Sequence, residues 1–231
     1  MRFLIDSMAP ETAKETLSKY GGIIEVSSDG IVYPAISGHP DIFFCRVGGK
    51  LLAAPNTPPN LLKELYIDGK EFVRGKMPLQ SKYPGTAIYN CFSDSRYLVH
   101  RFDLTDPEIL ELAGGREMIH VRQGYCRCGI LAVGEGTYLT SDPGTERALR
   151  EHGLDAVYFD PAGIRLDGFP HGFIGGCAGM HGDKLFLCGA VNNIQYKYDI
   201  KAAARRNGIE IVELYGGPLI DIGGIIAVEN S

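Results

Sequence analysis

The chain has 231 residues, 45% hydrophobic and 22% charged, with a formal net charge of −5. This is the balance of a globular protein with room for a sizeable core, not of a disordered one. An acidic chain offers no electrostatic footprint for nucleic acid or an anionic membrane, and no apolar run approaches the roughly 20 residues that cross a bilayer. Neither partner is expected, and with only three apolar residues before Asp6 the start is too short for a signal-peptide core, so a cytoplasmic location is expected.

In chain order, residues 2–6 are predicted as a strand, 10–20 as a helix ending at Gly21, and 23–26 as a second strand. A hairpin follows (41–46 and 50–54 around Gly48-Gly49), then a helix over 57–67, Gly69 and an apolar strand at 72–73. The same order returns three times. Hairpins 87–92/97–100, 126–133/137–140 and 173–180/184–188 lead into helices 106–113, 143–152 and 199–207. Those helices end at Gly114, Gly153 and Gly208, each followed by an apolar strand at 116–121, 154–159 and 209–212. Glycine suits the position just past a helix because it accepts the left-handed conformation. Thr57-Pro58-Pro59, Thr105-Asp106-Pro107 and Ser141-Asp142-Pro143 supply capping side chains and first-turn prolines. The helix-ending glycines recur every 39 to 55 residues, a loose repeat. Residues 219–228 are left as one strand of a fifth unit, and pairing them with 2–6 would close a ring and remove two sheet edges. An open α/β sheet with coincidental spacing is the competing reading.

Five hairpin-helix-strand units in one domain over 1–231 resemble the pentein fold, the five-bladed α/β propeller of the guanidino-group-modifying enzymes. Gln123-Gly124-Tyr125-Cys126-Arg127-Cys128, Gly172-Phe173-Ile174-Gly175-Gly176 and Asp221-Ile222-Gly223-Gly224 look like a bacterial branch of that superfamily whose function is uncharacterised. The superfamily holds deiminases, hydrolases, amidinotransferases and a non-catalytic ribosome factor, so fold alone does not set function. The resemblance implies a cysteine nucleophile on the last hairpin, a His-x-Asp pair and carboxylates that hold a guanidinium. The last hairpin departs from it, reading Asp221-Ile222-Gly223-Gly224-Ile225-Ile226 with no cysteine.

A nucleophile would have to come from another hairpin. His39-Pro40-Asp41 opens the first one and matches the His-x-Asp pair. Proline biases His39 toward extended backbone, and positions two apart on a strand share a face, so both side chains are read as pointing at the axis. They would serve equally as loop caps. Cys128 is preferred as the axial thiol, with Arg127 on the opposite face, because its offset from the following turn resembles that of Asp41; a small buried core cysteine is the competing reading. Cys177 and Cys91 are weaker rivals, and Cys45 and Cys188 read as core. Asp221 would hold a cation beside Gly223, which would admit a ligand to the backbone or simply form a bulge. Asn90 would bond a polar ligand or end a strand, and His171 reads as a loop residue. The lone Cys126-x-Cys128 pair lacks the second ligand pair of a structural zinc site, so no metal or other cofactor is expected.

The leading expectation is a thiol-dependent hydrolase or transferase acting on a guanidino or amidine compound bound in an axial pocket. Cys128 would be the nucleophile, His39 with Asp41 the acid–base pair, and Asp221, Asn90 and Gly223 the substrate contacts. The alternative is a non-catalytic binding module on the same ring fold, favoured by the missing last-hairpin cysteine.

Overall fold

A computed structural model describes residues 1–67, 69, 71–134, 136–193 and 197–229. Lys70, between the helix-ending Gly69 and its strand, and Glu135, in the hairpin turn Gly134-Glu135-Gly136, lie outside the described residues. The chain opens with β1 (Arg2–Asp6), α1 (Glu11–Ser18) and β2 (Gly22–Val26). The first hairpin unit comprises α2 (Pro40–Phe43), β3 (Phe44–Val47), β4 (Lys50–Ala53), α3 (Pro59–Ile67) and β5 (Val73–Arg74). The second comprises β6 (Phe92–Ser93), β7 (Tyr97–His100), α4 (Pro107–Leu112) and β8 (Glu117–His120). The third comprises α5 (Cys126–Gly129), β9 (Ile130–Ala132), β10 (Thr137–Thr140), α6 (Pro143–Glu151) and β11 (Asp155–Tyr158). The fourth comprises β12 (Ala178–His181), β13 (Lys184–Leu187), α7 (Lys197–Arg206) and β14 (Glu210–Glu213), and β15 (Ile226–Val228) ends the fold.

Among the described residues the strands form five separate three-stranded sheets. In each hairpin unit the inner strand pairs antiparallel with the middle one, which pairs parallel with the strand after the helix. In the remaining sheet β1 is the middle strand. It runs parallel to β2 and antiparallel to β15, with Arg2 opposite Val228 and Leu4 opposite Ile226. The two ends of the sequence therefore build one sheet, as their apolar runs predict.

The helix ends follow from local chemistry. Asp106 accepts a hydrogen bond from the Glu108 N–H (2.8 Å) and Asp142 from the Thr145 N–H (2.6 Å), which satisfies donors the first turn leaves free. Gly69, Gly114, Gly153 and Gly208 take positive φ, between 61° and 76°, as helix-ending glycines should. Gly21 does not; it is small because Phe3 Cε2 lies about 3.1 Å from where its Cβ would be. Each helix then buries one stripe on its sheet: Ala13 and Leu17 against Phe3, Ile5 and Phe186, and Leu61 and Leu65 in the cluster with Ile24 and Leu52. Fully burying one such leucine stabilises by roughly 1.5–3 kcal/mol.

The inner strands begin later than the sequence predicts. Residues 40–43 and 126–129 are single helical turns and 175–177 a 3-10 turn, where extended chain was expected. All four residues of α2 are buried, so no alternation marks it as helix or strand. Segments near these turns are hydrogen-bonded in a cycle. Asn90 Nδ2 donates to the Asp41 carbonyl (3.3 Å), and the Asn90 carbonyl accepts from the N–H groups of Cys126 (2.9 Å) and Arg127 (3.0 Å). Arg127 Nη1 and Nη2 donate to the carbonyls of Gly175 (3.0 Å) and Ala178 (3.1 Å). The Gly176 carbonyl accepts from Ile222 and Gly224, and the Gly223 carbonyl accepts from the Asp41 N–H (3.1 Å), which returns to the start.

Candidate functional site

His39 sits at the N-cap of α2 with extended backbone (φ −69°, ψ 116°), as the following proline requires. Its ring lies between two carboxylates. Nε2 is 3.7 Å from Asp6 Oδ2 and Nδ1 is 3.9 Å from Asp221 Oδ1, and all three side chains are at least nine-tenths buried. Asp6 ends β1, and its Oδ1 accepts the Met8 N–H at 2.7 Å. Burial raises the Asp6 pKa, while the His39 imidazole and the Met8 hydrogen bond pull it back. Asp221 accepts the N–H groups of Phe173 (2.8 Å) and Gly223 (3.0 Å), so its carboxylate is fixed from two loops. The room is made by glycine: a side chain at Gly176 would strike the Asp221 carboxylate, and one at Gly223 (φ 65°) would strike His39.

Cys128 sits on the next turn but one. Its Sγ donates to Asn90 Oδ1 (3.4 Å), which also accepts the Cys128 N–H (3.2 Å). Burial pushes the Cys128 thiol well above its usual pKa, Asp41 and Asp221 push it further, and Arg127 opposes them. At rest the sulfur is a thiol. Asp41 is fully buried, and among the described residues neither of its carboxylate oxygens has a hydrogen-bond partner. Burial raises its pKa well above the carboxylate range, opposed mainly by the Arg127 guanidinium.

His39, Cys128 and Asp221 line one cavity of about 520 Å³. Its upper wall is aromatic. Tyr33, Tyr83, Tyr125, Phe169 and Phe173 surround it, with ring centroids 5.8 Å apart for Tyr33–Phe169, 5.6 Å for Tyr83–Tyr125 and 6.4 Å for Tyr125–Phe173. Tyr125 Oη is held by Thr86 Oγ1 (2.6 Å) and Tyr33 Oη (3.2 Å). The arrangement offers a buried anion and an imidazole at the floor beside a thiol, beneath ring faces that attract cations.

Of the sequence-predicted residues, the structure thus brings His39, Cys128 and Asp221 together. Asp41 is corrected as the partner of His39: on a helical turn, positions two apart do not share a face, and the carboxylates beside the imidazole are Asp6 and Asp221. Arg127 is also corrected. Counted from the starts of β3 and β9, it is the counterpart of Asp41, and it reaches across to β12. Asn90 and Gly223 stand behind the cavity wall, Asn90 tying α2 to α5 and Gly223 packing on His39. His171, read as a loop residue, lines the cavity, whereas Cys177 is buried with its thiol donating to the Phe173 carbonyl (3.3 Å). The sequence reading missed Asp6 and the aromatic wall; an aspartate closing the apolar run Phe3-Leu4-Ile5 was the available signal for the former.

The profile of a family described as a family of unknown function (DUF6873) matches residues 4–226. No curated protein matches the chain by sequence. The solved structures that match this chain include three enzymes or enzyme variants. DDAH from Pseudomonas aeruginosa, a cysteine-to-serine mutant complexed with citrulline, is 7% identical, with 92% of each chain covered and a TM-score of 0.51. The inosamine-phosphate amidinotransferase StrB1 from Streptomyces griseus is 12% identical, with 91% of this chain and 77% of that one covered and a TM-score of 0.51. SxtG, an amidinotransferase from Microseira wollei in the saxitoxin biosynthetic pathway, is 12% identical over 88% of this chain and 78% of that one, with a TM-score of 0.48. The first two carry the comparison, and at these identities they carry the fold alone: the pentein resemblance read from the repeat holds. Among the described residues no helix is long and apolar enough to cross a membrane.

Proposed function

The chain belongs to the DUF6873 family of unknown function, and from that premise we propose that it is a closed five-bladed pentein propeller whose axial cavity takes a guanidino- or amidine-type cation and acts on it through Cys128. The cycle of hydrogen bonds near the inner-strand turns and the β1–β15 pairing support closure. One observation carries the chemistry: a thiol, an imidazole and a carboxylate from three different units line the same cavity of about 520 Å³. All six cysteines are free, in keeping with a cytoplasmic setting.

A planar cation against Asp221 would reverse the field that holds Cys128 protonated. Cys128 Sγ then bonds to the amidino carbon while its proton passes to His39, held between Asp6 and Asp221. His39 returns that proton to the leaving amine as the C–N bond breaks. Water attacks the S-amidino carbon, gives a proton to His39, and the C–S bond breaks with the sulfur reprotonated. The net reaction is hydrolysis; an amine in place of water makes it a transfer. A haloacetamidine, which joins this cation to an electrophilic carbon, is expected to alkylate Cys128 at least tenfold faster than neutral iodoacetamide, with Asp221→Asn erasing the difference. Peptide mapping by mass spectrometry reads the site. Equal rates for the two reagents, or labelling at another cysteine, would overturn the reading.

A second reading has its own observation: the Cys128 thiol is donated to an amide oxygen and burial holds it neutral. A non-catalytic cation-binding module on the same fold would bind the cation reversibly and leave Cys128 unlabelled.

A further inference from the structure

The proposed cation site leaves most of its cavity unaccounted for. A cationic head of three or four heavy atoms fills on the order of 100 Å³, a few times a water molecule's share of about 30 Å³. The cavity holds about 520 Å³. Much of what surrounds the remainder is ring surface, with Tyr33, Tyr125 and Phe173 half-buried in the wall and Tyr83 and Phe169, each 46% exposed, at the mouth. Gln123, Asp142 and His171 also line it.

Two of the three tyrosine hydroxyls are engaged within the wall. Tyr125 Oη is engaged by Thr86 Oγ1 and Tyr33 Oη, so those two rings turn faces and edges, not free donors, toward the space. Exposed aromatic rings at the mouth of a cleft mark contact with an apolar surface. A carboxylate laid along the rings would meet their negative faces and lose hydration there, and it would share the cavity with the Asp142 and Asp221 carboxylates. Among the described lining residues, Arg122 is the one lysine or arginine, and it is exposed at the rim.

We infer that the ligand is a cation carried on a flat apolar body, such as an aryl or otherwise unsaturated amidine or guanidine, and not a zwitterionic amino acid. This inference rests on the proposed cation site. The head sits on Asp221 and His39, and the body lies between Tyr125, Phe173 and Tyr33, with Phe169 over its outer end. Shape and stacking select the body, while the floor selects the charge.

Titration calorimetry with benzamidine, methylguanidine and L-arginine on the full chain tests it. Benzamidine is expected to bind at least tenfold more tightly than either of the others. Phe169→Ala, at an exposed ring whose loss spares the core, should weaken benzamidine several-fold and leave methylguanidine within twofold. The double variant Tyr33→Leu/Phe169→Ala should bring the preference below threefold, and Arg122→Ala should leave benzamidine within twofold. Tightest binding by arginine, lost in Arg122→Ala, would overturn the apolar-body inference and leave the guanidino reading standing. Equal affinity for all three would also overturn it. No binding by any of the three would overturn both.

Discussion

Two cavities lie near the third inner strand, one lined by Arg127 and the other by its neighbour Cys128, and they differ in kind. The larger is lined by loops and helical turns and holds His39, Cys128 and Asp221. The smaller, about 220 Å³, is lined by residues of the inner strands β3, β6, β9 and β12 and by Ile225, Ile226 and Ala227, with Cys45, Cys91 and Met180 among them. The same repeat supplies both. Strand positions are committed to ladder hydrogen bonds and packing, whereas the turn before each inner strand has side chains to spare, so His39, Cys128 and Asp221 meet at that end.

The largest test of this contrast is Arg127 itself. Arg127→Met removes both donors to the Gly175 and Ala178 carbonyls and the positive charge that opposes the rise in the Asp41 pKa. A loss of about 4 kcal/mol is expected from two carbonyls left short of donors, measured by urea denaturation. A loss under about 1 kcal/mol would mean that the link from α5 to Gly175 and Ala178 is not held by this residue.

Next comes the frame around the floor. His100 is buried, with Nδ1 2.6 Å from Thr105 Oγ1 and Nε2 at 2.8 Å and 3.1 Å from the Gly124 and Ala87 carbonyls. Burial lowers its pKa to about 4, so at pH 7 the ring is neutral, with its proton on Nε2 facing the two carbonyls. With the folded value below the unfolded one, the unfolded chain binds a proton that the native state refuses. Stability from this group is complete above about pH 6.5 and lost as pH falls toward 4, by about 3 kcal/mol. Denaturation midpoints from pH 7 to 4 check it against His100→Asn, which should lack this component.

The smallest effect has the opposite sign. Asp41 has its pKa raised by burial, so its contribution is full at low pH and lost as pH rises. Asp41→Asn is expected to equal the parent near pH 3 and to exceed it at pH 8 by on the order of 1 kcal/mol. If the variant is less stable at pH 8, Asp41 is an ion that the floor needs.

The fold was legible because its signals are local. Capping aspartates, first-turn prolines and helix-ending glycines mark Asp106–Gly114 and Asp142–Gly153 within two residues. The candidate site was legible only through the superfamily resemblance. Single turns such as Pro40–Phe43 are too short for periodicity to register, so His39 and Asp41 were put on one strand face when a helical turn separates them. The offset that pointed to Cys128 slipped by one residue, since the true counterpart of Asp41 is Arg127. Asp6 was beyond reach because its meeting with His39 depends on tertiary packing.

That meeting bears on timing. Asp6 lies near the start of the sequence and Asp221 near its end, joined in space through the pairing of β1 with β15. Until β15 has docked on β1, His39 has only its first carboxylate. Under the proposed function, a copy with that strand undocked would bind the cation poorly, so ligand affinity would report on whether β15 is in place.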